Sequence, residues 1–527
     1  SALSIASSGL NGIEYQYSVV SQNVANSSTT GYVSESASVT SAVANNQGTG
    51  VRIGQTVLNV SPYLQSSLYT QNAKVSALTA SSNSLSAVSS VQGSTSADSG
   101  STNTLSDALG NVQTALTSLT STPLESSAQT AVITAATSLT DTIHTLASTY
   151  TAQRQTAEDT IVSTVSTINQ NLTQIGQLSK QIMALKAVGS DTADLENSRL
   201  EVMSDLSSEV GVKFTETSKG DMVVTTEDGT KLPTRPDQIG LNDNTQTLPS
   251  NTWPLSATNG ATASTTITDS MYYKAGDPTN SPIAGITVAD GTTNTSSTDI
   301  TSHLTSGTLG ANITLRDTTY PTMQAQLNAF STTLINRFTA AGMSLFTSSS
   351  GSRVISTTAT GASSQQTNLA SGITVNATYS HTPSSLAPSG STTTITYVLR
   401  TTFGTSRRNV SGSTTLSDRT EVSLDAPTSD LGPSGTLSTG YSGAQGLVAL
   451  ATSLTSDQGT TISTASTNLT YATAVQTTLS AKVTSVSGVN VNTEMSKIVA
   501  LQNAYTANAK IISSVQTMFS ALLNAIN

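Results

Sequence analysis

Apolar side chains recur at coiled-coil spacing at both ends of this chain. Near the start, Leu10, Ile13, Tyr17, Val20 and Val24 step by three and four, with Leu3 one heptad upstream. Near the finish, Met495, Ile498, Tyr505, Ile512, Phe519, Leu522 and Ile526 keep the same step, with Gln502 and Ala509 at intervening seam positions. Each end therefore predicts a helix with one apolar face. The second stripe runs roughly 48 Å at helical rise and needs a partner of similar length. A lone amphipathic helix cannot hide such a face, so the two segments are expected to pack on each other, on neighbouring copies, or both.

Between the ends the period changes twice. Residues 26–54 are rich in Ser, Thr, Asn and Gly and read as loop with some extended structure, Thr30-Gly31-Tyr32 marking a turn. Helical ladders follow: Leu64 to Val88, Leu105 to Leu119, Ile133 to Tyr150 after the break at Pro123, Ile161 to Leu185, and Leu195 to Val210. At Gly211 the texture turns to strands, Val212–Thr215 and Met222–Thr226, with hairpin signals at Lys219-Gly220 and Asp228-Gly229. Met323 to Phe338 is helical again. Residues 349–440 read as a second β-rich or partly irregular insert, with a strand expected at Thr392–Leu399. A ladder from Ile462 to Val486 can close the earlier bundle.

The expected architecture is multidomain, α plus β, and nested. Residues 1–60 with 487–527 form a terminal α-helical coiled-coil assembly domain. Residues 61–211 with 304–348 and 441–486 form an elongated helical bundle, and 212–303 and 349–440 are β-rich inserted outer domains. When both chain ends share one domain, every other domain is an excursion from it, so the ends can sit at an axis while the inserts project outward.

Composition supports thin modules: only 35% of the 527 residues are hydrophobic and 4% aromatic. The net charge of −10, with no basic stripe, disfavours nucleic acid and anionic membranes as partners. No cysteine is present, which removes disulfides, thiolate nucleophiles and Cys-ligated zinc. The first thirty residues lack the positive and hydrophobic regions of a cleavable signal, which fits either a cytoplasmic protein or one exported by an uncleaved signal.

Chemistry is sparse. His144, His303 and His381 lack metal-ligand neighbours, and His144, one turn after Asp141, reads as a solvated or capped surface pair. Glu158-Asp159 reads as a polar helix face, and Arg407-Arg408 as a solubilising spot. No phosphate loop, dinucleotide fingerprint or nucleophile elbow is present, so the residues imply no catalytic site, no metal and no cofactor. Ala6, Ser7, Ser8 and Gly9 either allow close helix approach or reflect composition alone.

The run Ser8-Gly9-Leu10, followed by Gln22-Asn23-Val24-Ala25-Asn26 and Thr30-Gly31-Tyr32, resembles the amino-terminal signature of bacterial flagellar rod, hook and hook-associated proteins. Ser487-Gly488-Val489-Asn490, Glu494-Met495, Gln502, Ala504-Tyr505, Ala507-Asn508-Ala509, Ile511-Ile512 and Leu522-Leu523 resemble the closing helix of the same group. Ser306-Gly307-Thr308-Leu309-Gly310 with Arg316-Asp317 is similar to a segment of the hook-associated members that returns to the helical domain. Val24, Gln22 and Asn492-Thr493 are mild departures, and Asn492 is expected to cap the last helix with Glu494 in its first turn.

The resemblance implies a structural subunit joining hook to filament, placed outside the cell after type III export without a cleaved signal. Implied partners are further copies of itself, the hook protein, the second hook-filament junction protein and an export chaperone. The terminal helices would order and bury their stripes on polymerisation. The alternatives are the hook protein itself, disfavoured by the long helical block from 64 to 210, and another type III-exported coiled-coil tip protein.

Overall fold

Unbroken apolar ladders become long helices in the computed structural model. It describes residues 2–44, 47–93, 104–257, 265–276, 280–292, 296–349, 369–403, 410–411, 420–421, 429, 431, 436–441 and 445–526. Helix α1 spans Ala2–Ala25, α2 Pro62–Gln92 and α3 Leu105–Ser121. The ladders 133–150 and 161–185 belong to one 62-residue helix, α4, Ser126–Ala187, about 93 Å long at helical rise. Helix α5 follows at Ala193–Glu209.

Thr104 starts α3 with a reciprocal cap: its hydroxyl accepts from the Asp107 amide while the Asp107 carboxylate accepts from the Thr104 amide. Pro123 then ends the α3 ladder, and the chain turns back into α4. Leu109, Val112, Leu116 and Leu119 thereby meet Val132, Leu139, Ile143 and Tyr150 in one fully buried core.

The stretch after α5 contains two small antiparallel sheets. In the first, β5 (Val212–Glu216), β6 (Met222–Thr226) and β7 (Lys231–Leu232) lie in sequence order, with Phe214 opposite Val224. In the second, β9 (Thr287–Ala289) lies between β8 (Leu255–Ser256) and β10 (Ser296–Asp299). Both sheets share a second core with the far half of α4: Ile161, Val165, Ile168, Leu172 and Ile175 pack with Leu206, Val224, Leu255 and Ile286. Asn169 on α4 pins β8 by accepting from the Leu255 amide (3.0 Å) and donating to its carbonyl (2.8 Å). At Gly176 the Thr234 carbonyl comes so close that a Cβ would stand 2.4 Å from it, so only glycine fits there.

The chain returns through α6 (Gly307–Thr314), a widened π-turn at Leu315–Thr319, and α7 (Tyr320–Ala340). The π-turn carries Arg316, fully buried, which donates to Glu158 (2.7 Å) and to both oxygens of Asp317. Glu158 is thus a buried ion-pair partner, whereas sequence placed it on a polar face. Arg154, equally buried, donates to the Arg316 carbonyl, Gln324 and the Met271 carbonyl. This polar layer lies where the two apolar cores meet along α4.

After β11 (Phe346–Ser348), the described residues are mainly short helices: α8 (Leu369–Gly372), α9 (Ala377–His381) and α10 (Thr393–Thr401), with β12 (Ile373–Val375) paired to β11. A further pair, β13 (Val410–Ser411) with β14 (Thr420–Glu421), is also antiparallel. The strand expected at Thr392–Leu399 is therefore helix α10. Its β-branched run favours a strand locally, but Ile395 and Val398, three apart, bury fully in the α3–α4 core, and burial outweighs propensity. Leu369, Ile373 and Leu386 enter the same core. His144 does not pair with Asp141; its Nε2 lies 2.7 Å from the Ile373 carbonyl oxygen. Arg407-Arg408 lies outside the described residues.

Helix α11 (Leu447–Ser487) runs antiparallel to α2, with Gln71 donating to the Ala472 carbonyl, Gln476 to Asn72 and Gln92 to Gln458. The last helix, α12, spans Val491–Ile526.

Candidate assembly interface

The two terminal helices pack antiparallel on each other. At one point Gly9 faces Asn508, whose Oδ1 would stand 3.3 Å from a Cβ on that glycine; at another Asn23 donates to Glu494 (3.1 Å). On α12 the positions turned inward are Glu494, Ile498, Leu501, Ala504, Asn508, Ile512 and Val515, in steps of three and four. The sequence stripe shares Ile498 and Ile512 with this seam. Met495, Gln502, Tyr505, Ala509, Phe519 and Leu522 stay exposed, and the Ile526 side chain lies outside the described residues. Leu501 and Val515 were missed because the stripe was read one position off the seam. On α1, Val20 is buried, Leu10, Ile13 and Val24 are half-buried, and Leu3 and Tyr17 are 39% and 41% exposed. The pair thus holds its members together and still presents apolar side chains to solvent.

A third element completes the terminal unit. The stretch 26–54, expected as loop with some extended structure, contains strand β1 (Glu35–Ser36) and a hairpin of β2 (Val39–Ala44) and β3 (Gln47–Ile53), and β1 pairs with β4 (Val57–Leu58). The hairpin lies on α1 because the facing residues are small. Gly12 meets Val51 and Val39, and Ser8 Oγ accepts from the Val51 amide at 3.2 Å. Gly50, at φ +121, leaves room for that hydroxyl. The small residues at 8, 9 and 12 therefore serve close approach.

Where α1 ends, the family motif forms a buried latch. Asn23 donates to the Glu35 carbonyl (2.8 Å) and to Glu494, and accepts from the Glu35 amide (2.8 Å) and the Tyr32 hydroxyl (3.2 Å). Asn197 of α5 donates to the Val33 carbonyl and to Glu35 Oε1 (3.0 Å), and accepts from the Val33 amide. Ser34 donates its amide to the Ser487 carbonyl (2.7 Å). Lys497 donates to Glu494 (2.6 Å). Four segments distant in sequence are thereby tied at one point. Gly31, at φ +82, makes the turn that brings Tyr32 back, and Asn26 donates to the Gln22 carbonyl. Ala25 and Thr30 of the motif are exposed. Asn490, not Asn492, caps α12: its side chain accepts from the Thr493 amide (3.2 Å), because the helix begins at Val491 and leaves that amide unpaired.

Burial raises the Glu35 carboxyl above its ordinary 4.5, opposed by the Asn197 hydrogen bond and reinforced by Asp194 and Asp191. Burial, and then Glu35, pushes the Tyr32 phenol well above its usual range. Among the described residues no group of three or more His, Cys, Asp or Glu could hold a metal, and no helix is long and apolar enough to cross a membrane. His303 pairs with Asp228 at the surface, and His381 is exposed.

Two family models match this chain. The flagellar hook-associated protein FlgK helical domain matches residues 94–353, and the flagellar basal body rod FlgEFG protein C-terminal region matches residues 482–525. The chain belongs to the FlgK family of flagellar hook-associated proteins. The first match spans α3, α4, α5, both sheets and α7; the second covers α12. The solved structure of the flagellar hook junction protein FlgK from Burkholderia pseudomallei is 20% identical, with a TM-score of 0.41, over 54% of this chain and 46% of that one. The match thus spans less than half the length of that protein. No curated protein matches the chain.

Proposed function

We propose that the chain is a structural subunit of the bacterial flagellum that joins hook to filament by polymerising through α1 and α12. The observation that carries this reading is a coincidence in place. The helix matched by the rod-type C-terminal model is the one packed on α1 with apolar side chains still exposed on its outer surface. An exposed apolar helix face on a chain with 35% hydrophobic residues is stable chiefly when another surface covers it. The latch ties that helix pair to the helical domain, so load on the terminal helices passes into α5 and α11 through buried hydrogen bonds.

The finer reading follows the family. The terminal unit (1–60 with 487–527) lies at the axis, the helical bundle (61–211, 304–348, 441–486) outside it, and the stretches 212–303 and 349–440 face the medium. The partners are further copies, the hook protein, the second junction protein and an export chaperone; the chain leaves the cytoplasm by type III export. Deleting the gene in the source bacterium tests this. Bare hooks with filament subunits shed into the medium, cured by the intact chain, support it; normal filaments in the deletion strain refute it.

A further inference from the structure

A groove of about 1100 Å³ lies beside the latch, between the loop 26–33, α2, α5, the end of α11 and Gly488-Val489. Leu68, Leu200, Val483 and Val489 give it half-buried apolar walls. Its charged lining residues are Glu201 and Asp205, both exposed and one turn apart on α5. Among the described residues neither has an ion-pair or hydrogen-bond partner. No cation lines the groove, since Lys74 of α2 and Lys482 of α11 stand outside it. Like charges four residues apart destabilise the helix that carries them, so this pair is unfavourable until a cation reaches it.

The complementary group stands elsewhere on the terminal unit. Val39 and Val51 meet Gly12 of α1, so by strand alternation Thr40 and Arg52, partners across β2 and β3, point away from α1. Arg52 is exposed and has no ion-pair or hydrogen-bond partner among the described residues. Thr40 and Ala42 on the same face are small, so the guanidinium projects from a flat surface. Between Gly12 and Asn26, where the groove begins, lie fourteen residue steps (26 − 12), about 21 Å at helical rise. Arg52 therefore does not reach the groove of its own chain. One molecule carries a projecting cation at one level and an anionic, partly apolar groove at another. Complementary features at two different places on identical molecules make a heterologous contact, which repeats from copy to copy.

We propose that the β2–β3 hairpin of one copy docks on the groove of the next, with the Arg52 guanidinium donating to Glu201 and Asp205. The occupant is a second copy of this chain, and the inference rests on the assembly reading above. Neighbouring copies are then staggered along α1 by at least about 21 Å. The planar fork of arginine serves two carboxylates at once, which the single ammonium of a lysine does less well. The apolar walls exclude water from the ion pair and strengthen it, while any other stagger leaves all three charges unpaired.

The chain holds no cysteine, so introduced thiols are unique. Thr40→Cys, beside Arg52, and Ser204→Cys, in the groove wall, are placed singly and together in full-length chains made in the deletion strain, and isolated flagella are treated with a short bismaleimide. Co-expression of the two single variants is expected to give a cross-linked dimer of the chain, the double variant a ladder of multimers, and either single variant alone no product. Arg52→Glu in the double-cysteine chain is expected to cut the cross-linked fraction about tenfold through like-charge contact. Adding Glu201→Lys with Asp205→Lys restores it, because unlike charges face each other again. The same charge series without cysteines, scored by the filament-bearing fraction, is expected to follow the same order, with the circular dichroism of each purified variant matching wild type. No dimer from the mixture, a product from either single variant alone, capture of the groove cysteine by a different flagellar protein, or charge variants that behave as wild type overturn the docking and leave the assembly reading standing. An intact chain that itself restores no filaments overturns the assembly reading, and the docking with it.

Discussion

Asn23 occupies the position where a single side chain decides most about the terminal unit. Its amide is buried and makes four hydrogen bonds, to Glu35 twice, to Tyr32 and to Glu494. Replacing it with alanine strands the Glu35 amide and one Glu494 oxygen, so Asn23→Ala is expected to lower the stability of the terminal unit by about 1–3 kcal/mol; denaturant titration followed by helical ellipticity measures it. Glu35 gives a prediction with a sign. Its folded carboxyl is raised above the ordinary 4.5, so the stability it contributes is full below that pH and is lost as pH rises through the raised value. Glu35→Gln keeps an acceptor for Asn197 and removes the titration. The variant is expected to melt at or above wild type at pH 7, with that advantage shrinking toward pH 4. A larger advantage at pH 4 than at pH 7 contradicts the assignment. Asn23 and Tyr32 were legible as motif residues. Glu35 and Asn197 were not, because partners 162 residues apart leave no trace in spacing.

Elements were legible where burial follows one period. The ladders of α2, α3 and α4 bury along their length, and the structure returns them with Pro123 as the break. Misreadings arose where tertiary contacts overrule local preference. Thr392–Leu399 reads as strand from its β-branched residues yet falls in the helix Thr393–Thr401, which buries Ile395 and Val398. Residues 26–54 show only some extended character in sequence, without a placed hairpin, because strands 39–53 have few apolar positions; the hairpin is held instead by the small face of α1. On α12 the apolar residues cover two sides, so spacing could not choose the side packed against α1. Gly176 supplies an element-scale test. In a helix interior alanine is favoured over glycine by about 1 kcal/mol, but here the added Cβ collides with the Thr234 carbonyl. Gly176→Ala is expected to lower stability by about 1–3 kcal/mol through overpacking, read by thermal melting. A stabilised variant means that the sheet segment does not sit on α4 as described.

For the whole molecule, matching apolar periods at both ends raise the expectation that the ends meet, and α1 packs on α12. How the inserts enter the cores was not readable, since Leu255, Ile286, Ile373 and Leu386 occupy short segments without a period. Both cores are built without α12, which leaves them intact when it is removed. A chain lacking residues 490–527 is therefore expected to stay folded, with the thermal transition of its two cores retained and helical ellipticity reduced only by the missing segment. The most direct test is electron microscopy of deletion-strain cells carrying either the intact chain or this truncation. Filaments on hooks with the intact chain and bare hooks with the folded truncation are expected; filaments of normal number and length on cells that hold only the truncation contradict assembly through the terminal helices.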